Sequence, residues 1–184
     1  MPIFLVVLLS TPALGAAQSP LAPELTSVRQ VRELGRAEAA RSVPVRLHGV
    51  VTFRDWFLTF VQDSTGGIYV RNFDPAVRAG QEVEVEGFSA VGRSVPTVTG
   101  RRGGQVRIRV LGSGPWPQAI ETAATQLDSD TLDAQWVKIR TKVTTMNRAH
   151  DGVMLDTVSE GIPVRVAIPR WPQNRALPGY LRGQ

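Results

Sequence analysis

From Val43 the chain alternates apolar and polar positions with a period of two. Val43, Val45, Leu47, Gly49, Val51 and Phe53 fall on one face, and Arg46, His48, Val50, Thr52 and Arg54 on the other. That is the pattern of a half-buried strand, with Gly49 allowing it to bend. A second strand is predicted over 58–62 and a third over 67–71, joined by Asp63-Ser64-Thr65-Gly66-Gly67. In that hairpin turn the structural residues are Asp63, as side-chain acceptor, and the permissive Gly66 and Gly67. Residues 81–88 alternate strictly, with Glu82, Glu84 and Glu86 on one face and Val83, Val85 and Gly87 on the other. After a loop over 89–104, a fifth strand carries Val106, Ile108 and Val110 inward and Arg107 and Arg109 outward.

Ahead of the strands the period changes. Thr26 or Ser27 can cap a short helix with Val28, Val31 and Leu34 on one face. Gly35 ends it, and a second turn follows over 37–41.

The chain then repeats itself. VPVRLHGVVTFRDWFLTFVQDSTGGIYVRN at 43–72 is answered by QWVKIRTKVTTMNRAHDGVMLDTVSEGIPVRVAI at 135–168, an offset of about 92 residues. Asp63 falls opposite Asp156, which places both in the same turn, and Ile68 and Val70 fall opposite Ile162 and Val164. Nothing after LPGYLRGQ corresponds to the fourth and fifth strands.

Five short strands with a long loop between the last two describe an OB-like Greek-key barrel; an SH3-type barrel is the alternative. The expected fold is therefore mainly β: tandem OB-like Greek-key barrels, the first complete and the second truncated, with a short N-terminal helix. The expected organisation is a signal peptide at 1–17, a spacer and short helix at 18–42, and barrel 1 at 43–112. A linker with a helical turn follows at 113–134, then a partial barrel 2 at 135–184. Without its last strands barrel 2 presents open edges, so the expectation is an unstable second half, or a chain that is a fragment or short homologue.

The first residues change the picture of location. PIFLVVLLSTPALGAAQ is an apolar run followed by small residues, with Gly15-Ala16-Ala17 suiting signal-peptidase cleavage. The run is shorter than the ~20 residues that span a bilayer. Export to the periplasm is the expectation.

Charge adds less. The net charge is +5, from nineteen arginines and two lysines against 16 acidic residues. Basicity favours polyanions, but Ala, Gly, Pro and Val are also abundant, a composition GC-rich coding produces. With no cysteine, disulfides and thiolate metal sites are excluded, and two histidines cannot build a multi-histidine site. The sequence has no G-x-S-x-G, no Walker loop, no H-E-x-x-H and no metal-ligand spacing. His150-Asp151-Gly152 reads as a hairpin turn rather than a base beside a carboxylate. The expectation is a protein without catalytic residues, metal or cofactor.

OB barrels bind along strands two and three and the flanking loops. The candidate ligand-binding residues are Arg54 and Trp56 in the first loop, Phe60, Tyr69 and Arg71 on the face, and Arg93, Arg101 and Arg102 in the long loop. Aromatic residues beside arginines can stack on bases and neutralise phosphates, or hold an anionic glycan or a peptide. Which face Phe57 and Phe60 take is left open by the alternation. Arg46, His48, Arg107 and Arg109 have a simpler use, as cross-strand partners of the glutamate ladder.

LTSVRQVRELGRAEAARSVPVRLHGVVTFRD, then FVQDSTGGIYVRN, GQEVEVEGFS and the restart at Trp136-Val137 together resemble a known family. They look like the extracytoplasmic N-terminal region of bacterial two-component sensor histidine kinases, where tandem OB-like domains follow a signal peptide. The resemblance covers 25–168 and rests most on V-R-Q-V-R-x-L and F-V-Q-D-S-T-G-G-I-Y-V. It implies a sensory or interaction module for signal transduction, with an unidentified ligand or protein partner. The transmembrane helix, phosphoacceptor helix and ATP-binding glycine box of such kinases have no counterpart here. The alternatives are a protein binding single-stranded nucleic acid or another polyanion, which export disfavours, and an accessory barrel of a secreted hydrolase.

Overall fold

The computed structural model describes residues 23–56, 58–150 and 152–172. The signal-like segment, Phe57, Asp151 and the last residues of the chain lie outside them. The protein is mainly β, with 47% strand and 12% helix, in several sheets of which none closes into a barrel.

Two short helices open the fold. In α1 (Val28–Arg32), Ser27 and Gln30 form a reciprocal capping box that ties off the first amides. Val28 and Val31 are buried. The second, α2 (Arg36–Ala39), starts at Gly35 and buries Ala39.

The first sheet contains β1 (Pro44–Arg54), β2 (Thr59–Asp63), β3 (Gly66–Tyr69), β4 (Gln81–Ala90), β5 (Thr97–Thr99) and β6 (Arg107–Ser113). Its order is β3-β2-β1-β4-β5, with β6 also pairing β4. One half of β1 pairs with β4 and the other with β2, all antiparallel, and Val50 pairs with both neighbours. Gly49 sits at that crossover, where an added Cβ would stand 2.5 Å from the Gln62 carbonyl oxygen. The close approach of two backbones is what requires glycine there.

The alternation of β1 does not run to its end. A bulge between Val51 and Phe53 resets the register, so that Val51 faces Val61 while Phe53 pairs with Phe60. A one-residue shift turns every later side chain to the other face. Phe53 therefore leaves the core face on which simple alternation placed it. The 89–104 segment, expected as a loop, contains β5, which pairs Thr97–Thr99 with the far end of β4. Val110, expected inside, is 41% exposed because β6 runs along the sheet edge.

The core belongs to this sheet. Val28 and Val31 of α1 pack with Val45, Leu47, Val51, Val61, Ile68, Val70, Val77, Val83, Val85, Val98 and Val106. On the outer side, β1, β4 and β6 bring the expected charges together. Arg46 lies 2.9 Å from Glu86, Arg109 3.0 Å from Glu84, Arg107 3.4 Å from Glu86 and His48 3.5 Å from Glu82.

The remainder is built differently. Residues 120–127, read from the sequence as a helical turn, instead give a two-residue strand, β7 (Ile120–Glu121), and a 3₁₀ turn over Ala124–Gln126. The strand forms because β8 (Val137–Lys138) lies parallel to it. A further 3₁₀ turn, Asp130–Leu132, precedes β8. A three-stranded antiparallel meander follows, of β9 (Lys142–Ala149), β10 (Gly152–Ser159) and β11 (Ile162–Pro169). The stretch that answers β1 in the repeat is thus divided between β8 and β9.

The equivalence of Asp63 and Asp156 is also corrected. Asp63 ends β2 at its turn, whereas Asp156 is in mid-strand, opposite Arg165. The β10–β11 turn is Glu160-Gly161, both with positive φ (51° and 83°), as a tight two-residue hairpin requires. Among the described residues of this half few apolar side chains are buried; Ala124 and Val153 are, beside the polar Thr157 and Ser159.

Candidate ligand groove

The bulge in β1 assembles the most distinctive surface of the molecule. With Phe53 turned outward, Phe53, Phe60 and Tyr69 form one row across β1, β2 and β3. Ring centroids are 5.8 Å apart for Phe53 and Phe60, and 6.2 Å for Phe60 and Tyr69. Both spacings are within the range of favourable aromatic pairs. Phe60 is half-buried while its neighbours Thr59 and Val61 are fully buried, so it belongs to the outer face.

Phe60 and Tyr69 floor a groove of about 650 Å³. It is also lined by the 91–95 connection between β4 and β5, which brings Arg93, by Arg71, and by Asp133 and Ala134. Over Phe60 the groove meets an apolar depression of about 400 Å³ that continues to Phe53 and Trp136. The rim carries Leu58, Val91 and Trp136, exposed by 43%, 36% and 38%. Clustered apolar exposure of this kind marks binding surfaces more than solitary exposed residues do.

Electrostatically the groove is unbalanced. No carboxylate forms an ion pair with Arg71 or Arg93 among the described residues, and Arg71 instead stacks 5.5 Å from the Phe73 ring. Against these two cations stands Asp133. The arginines of the outer sheet face are in the opposite condition. In a cavity of about 450 Å³ beside Arg46, Glu86, Phe88 and Arg107, Arg46 and Arg107 are already paired with Glu24 and Glu86.

Of the candidate residues, Phe60, Tyr69, Arg71 and Arg93 meet in the groove. Arg54 donates from Nη2 to the Phe73 carbonyl at 3.1 Å. Trp56 is 62% exposed, with the Arg170 guanidinium 6.0 Å from its ring. Arg101 lines the ion-paired cavity and sits 5.9 Å from the Phe88 ring. Arg102 is exposed in a 3₁₀ turn, at φ 54°. These four do not line the groove.

Asp63, Gly66 and Gly67 form a seat. Asp63 Oδ1 accepts from the Thr65 amide (2.6 Å), the Thr65 hydroxyl (2.6 Å) and the Gly66 amide (3.0 Å). Its Oδ2 accepts from the Val28 amide. A Cβ on Gly67 would run into the Ala134 carbonyl.

That last contact belongs to a set that sequence reading missed. Arg32 is half-buried; burial pulls its guanidinium below the ordinary value, while the Asp133 and Asp130 carboxylates push the other way. It donates to backbone carbonyls of β3 and of the segment ahead of β8. Gln62 and Gln135 add bonds to the amides of Trp136 and Gly67. The only signal in the sequence was the position of Gln135-Trp136 at the start of the second copy.

His150 lies in the turn from β9 to β10. Among the described residues no group of His, Asp or Glu is placed to hold a metal ion, and no helix is long and apolar enough to cross a membrane. No family model matches the chain, and no curated protein matches it in sequence.

Proposed function

We propose that this chain is a non-catalytic, exported binding module, the sensory or interaction region of a receptor of the sensor histidine kinase type. The observation that carries the binding part is the groove lined together by Phe60, Tyr69 and two guanidiniums, Arg71 and Arg93, that have no carboxylate partner among the described residues. Its volume of about 650 Å³ falls within the range of small-molecule sites, ~300–1,000 Å³. The ligand that matches is an anion presenting a flat ring, with the ring on the aromatic floor and the charge toward the arginines.

The first sheet is proposed as an OB-like Greek key. In support, the Arg71 amide donates to the Val98 carbonyl at 2.8 Å and the Val106 amide to the Arg71 carbonyl at 2.8 Å. A parallel bridge also links Val70 with Val98. These bonds run from the end of β3 to β5 and to the residue just ahead of β6, which supports a sheet that curls on itself in the OB manner, and the groove is read as lying on the face such barrels use. Export rests on the apolar start and Gly15-Ala16-Ala17. The receptor reading rests on the resemblance over 25–168.

The test is a fluorescence titration with anilinonaphthalene sulfonate, an anion that carries a flat naphthalene ring. Saturable binding that weakens with salt and in Arg71→Ala and Arg93→Ala supports the groove. Binding indifferent to both substitutions contradicts it. One observation favours a second reading, single-stranded nucleic acid: the Phe53–Phe60–Tyr69 row spans three strands, as a stacking platform does. A salt-dependent anisotropy rise with labelled oligothymidylate, lost in Tyr69→Ala, selects that reading instead.

A further inference from the structure

The floor of the groove and one of its walls come from different parts of the chain. Phe60 and Tyr69 stand on the first sheet, whereas Asp133 and Ala134 lie on the segment that runs through Gln135 and Trp136 into β8. Asp133 is exposed and Ala134 half-buried, so this wall has little apolar packing of its own. Polar bonds hold it. Arg32 Nη1 donates to the carbonyls of Gly67 (2.8 Å) and Asp133 (2.7 Å), and Nη2 to those of Asp130 (2.6 Å) and Thr131 (3.3 Å). One guanidinium thus joins α1, β3 and the 130–133 turn. Beside it the Gly67 amide donates to Gln135 Oε1 at 3.0 Å, and the Trp136 amide to Gln62 Oε1 at 2.8 Å.

We propose that Arg32 is the positioning residue of the groove, and that docking of the 130–136 segment and occupancy of the groove are thermodynamically coupled. The proposal rests on the reading of the groove as a ligand site. A ligand that touches both the floor and this wall meets its full set of contacts only when the segment is docked. It therefore favours the docked state by the difference in its affinity for the two arrangements. By reciprocity, whatever loosens the segment weakens the ligand. Arg32 is suited to this because its planar fork reaches four carbonyls in fixed directions, which the single ammonium of a lysine cannot. The docked segment continues directly into β8, so occupancy is felt at the entrance to the second half of the chain.

The experiment uses the full chain with anilinonaphthalene sulfonate as probe, comparing wild type, Arg32→Ala, Arg32→Lys and Gln135→Ala. Two readouts are taken: the dissociation constant of the probe, and amide exchange at Gly67 and Trp136, which donate to Gln135 and Gln62. Saturating probe should slow exchange at both amides in the wild type. Arg32→Ala should speed exchange at both without probe and weaken the probe about tenfold. Lysine should fail to restore either, and Gln135→Ala, a milder lesion, should shift both readouts in the same direction by less. Equal affinity in wild type and variants, or probe binding that leaves both amides unchanged, overturns the coupling while the groove stands. No probe binding to the wild type overturns the groove, and the coupling with it.

Discussion

The backbone amide of Val28 donates to Asp63 Oδ2 across 2.8 Å, joining the first residue of α1 to the turn between β2 and β3. The same turn returns a second bond, from the Arg29 amide to the Thr65 hydroxyl oxygen at 2.9 Å. The helix is thereby seated on the hairpin with Val28 and Val31 in the core, and Arg32, one turn on, is aimed at the groove wall.

Asp63 should therefore matter to stability well beyond its own turn. Asp63→Ala leaves the amides of Val28, Thr65 and Gly66 without their acceptor, at a cost of about 2 kcal/mol or more. Asp63→Asn should cost less, because one carbonyl oxygen remains. Urea unfolding checks both, as a lowered midpoint at unchanged slope.

Gly49→Ala should be costly for a different reason. Its Cβ would stand 2.5 Å from the Gln62 carbonyl oxygen, a backbone atom that cannot rotate away. Forcing the strands apart there should cost about 1–3 kcal/mol, read from the same unfolding curves.

Stability should be uneven along the chain. Leu47 is completely buried among valines, and Leu47→Ala should cost about 2–5 kcal/mol. The meander of β9, β10 and β11 has few fully buried apolar side chains, so its amides should open at lower free energy than those of β1 and β4. Native-state hydrogen exchange measures the difference directly.

The carboxyl of Asp156 should titrate below its ordinary 3.8, because the Thr145 hydroxyl and the Arg165 guanidinium both donate to its charged form. With the folded value depressed, its contribution is present above the unfolded value and is lost as pH falls through the folded one. Thr145→Val and Arg165→Gln should each raise it. Carbon-13 NMR of the carboxyl across the acid range follows the change.

How much of this was legible in the sequence depended on the length of the periodic run. The glutamate ladder of β4 alternates over many residues, and its pairing with Arg46, His48, Arg107 and Arg109 followed once the strands that carry them were taken as its neighbours, as they are. The three residues of β5, between Pro96 and Gly100, are too few to show a period. The bulge that turns Phe53 outward leaves no mark in the letters, since Val51-Thr52-Phe53 fits either face. Asp156 matched Asp63 by position in an alignment, while the hairpin it was compared with turns instead at Glu160-Gly161. Arg32, Gln62 and Gln135 act on backbone atoms about 70 to 100 positions away, and no local pattern records such bonds. The groove floor could be guessed from aromatic residues near arginines; its second wall could not.

The central claim is that the face of β2 and β3, walled by the 91–95 connection and by Asp133–Ala134, binds an anion with a flat ring. The most direct measurement is a proton–nitrogen NMR titration of the full chain with anilinonaphthalene sulfonate. The account predicts saturable shifts concentrated at Phe60, Tyr69, Arg71, Arg93 and Ala134, with Arg46, His48 and Arg109 unmoved. Shifts centred on the meander, or scattered without saturation, would contradict it.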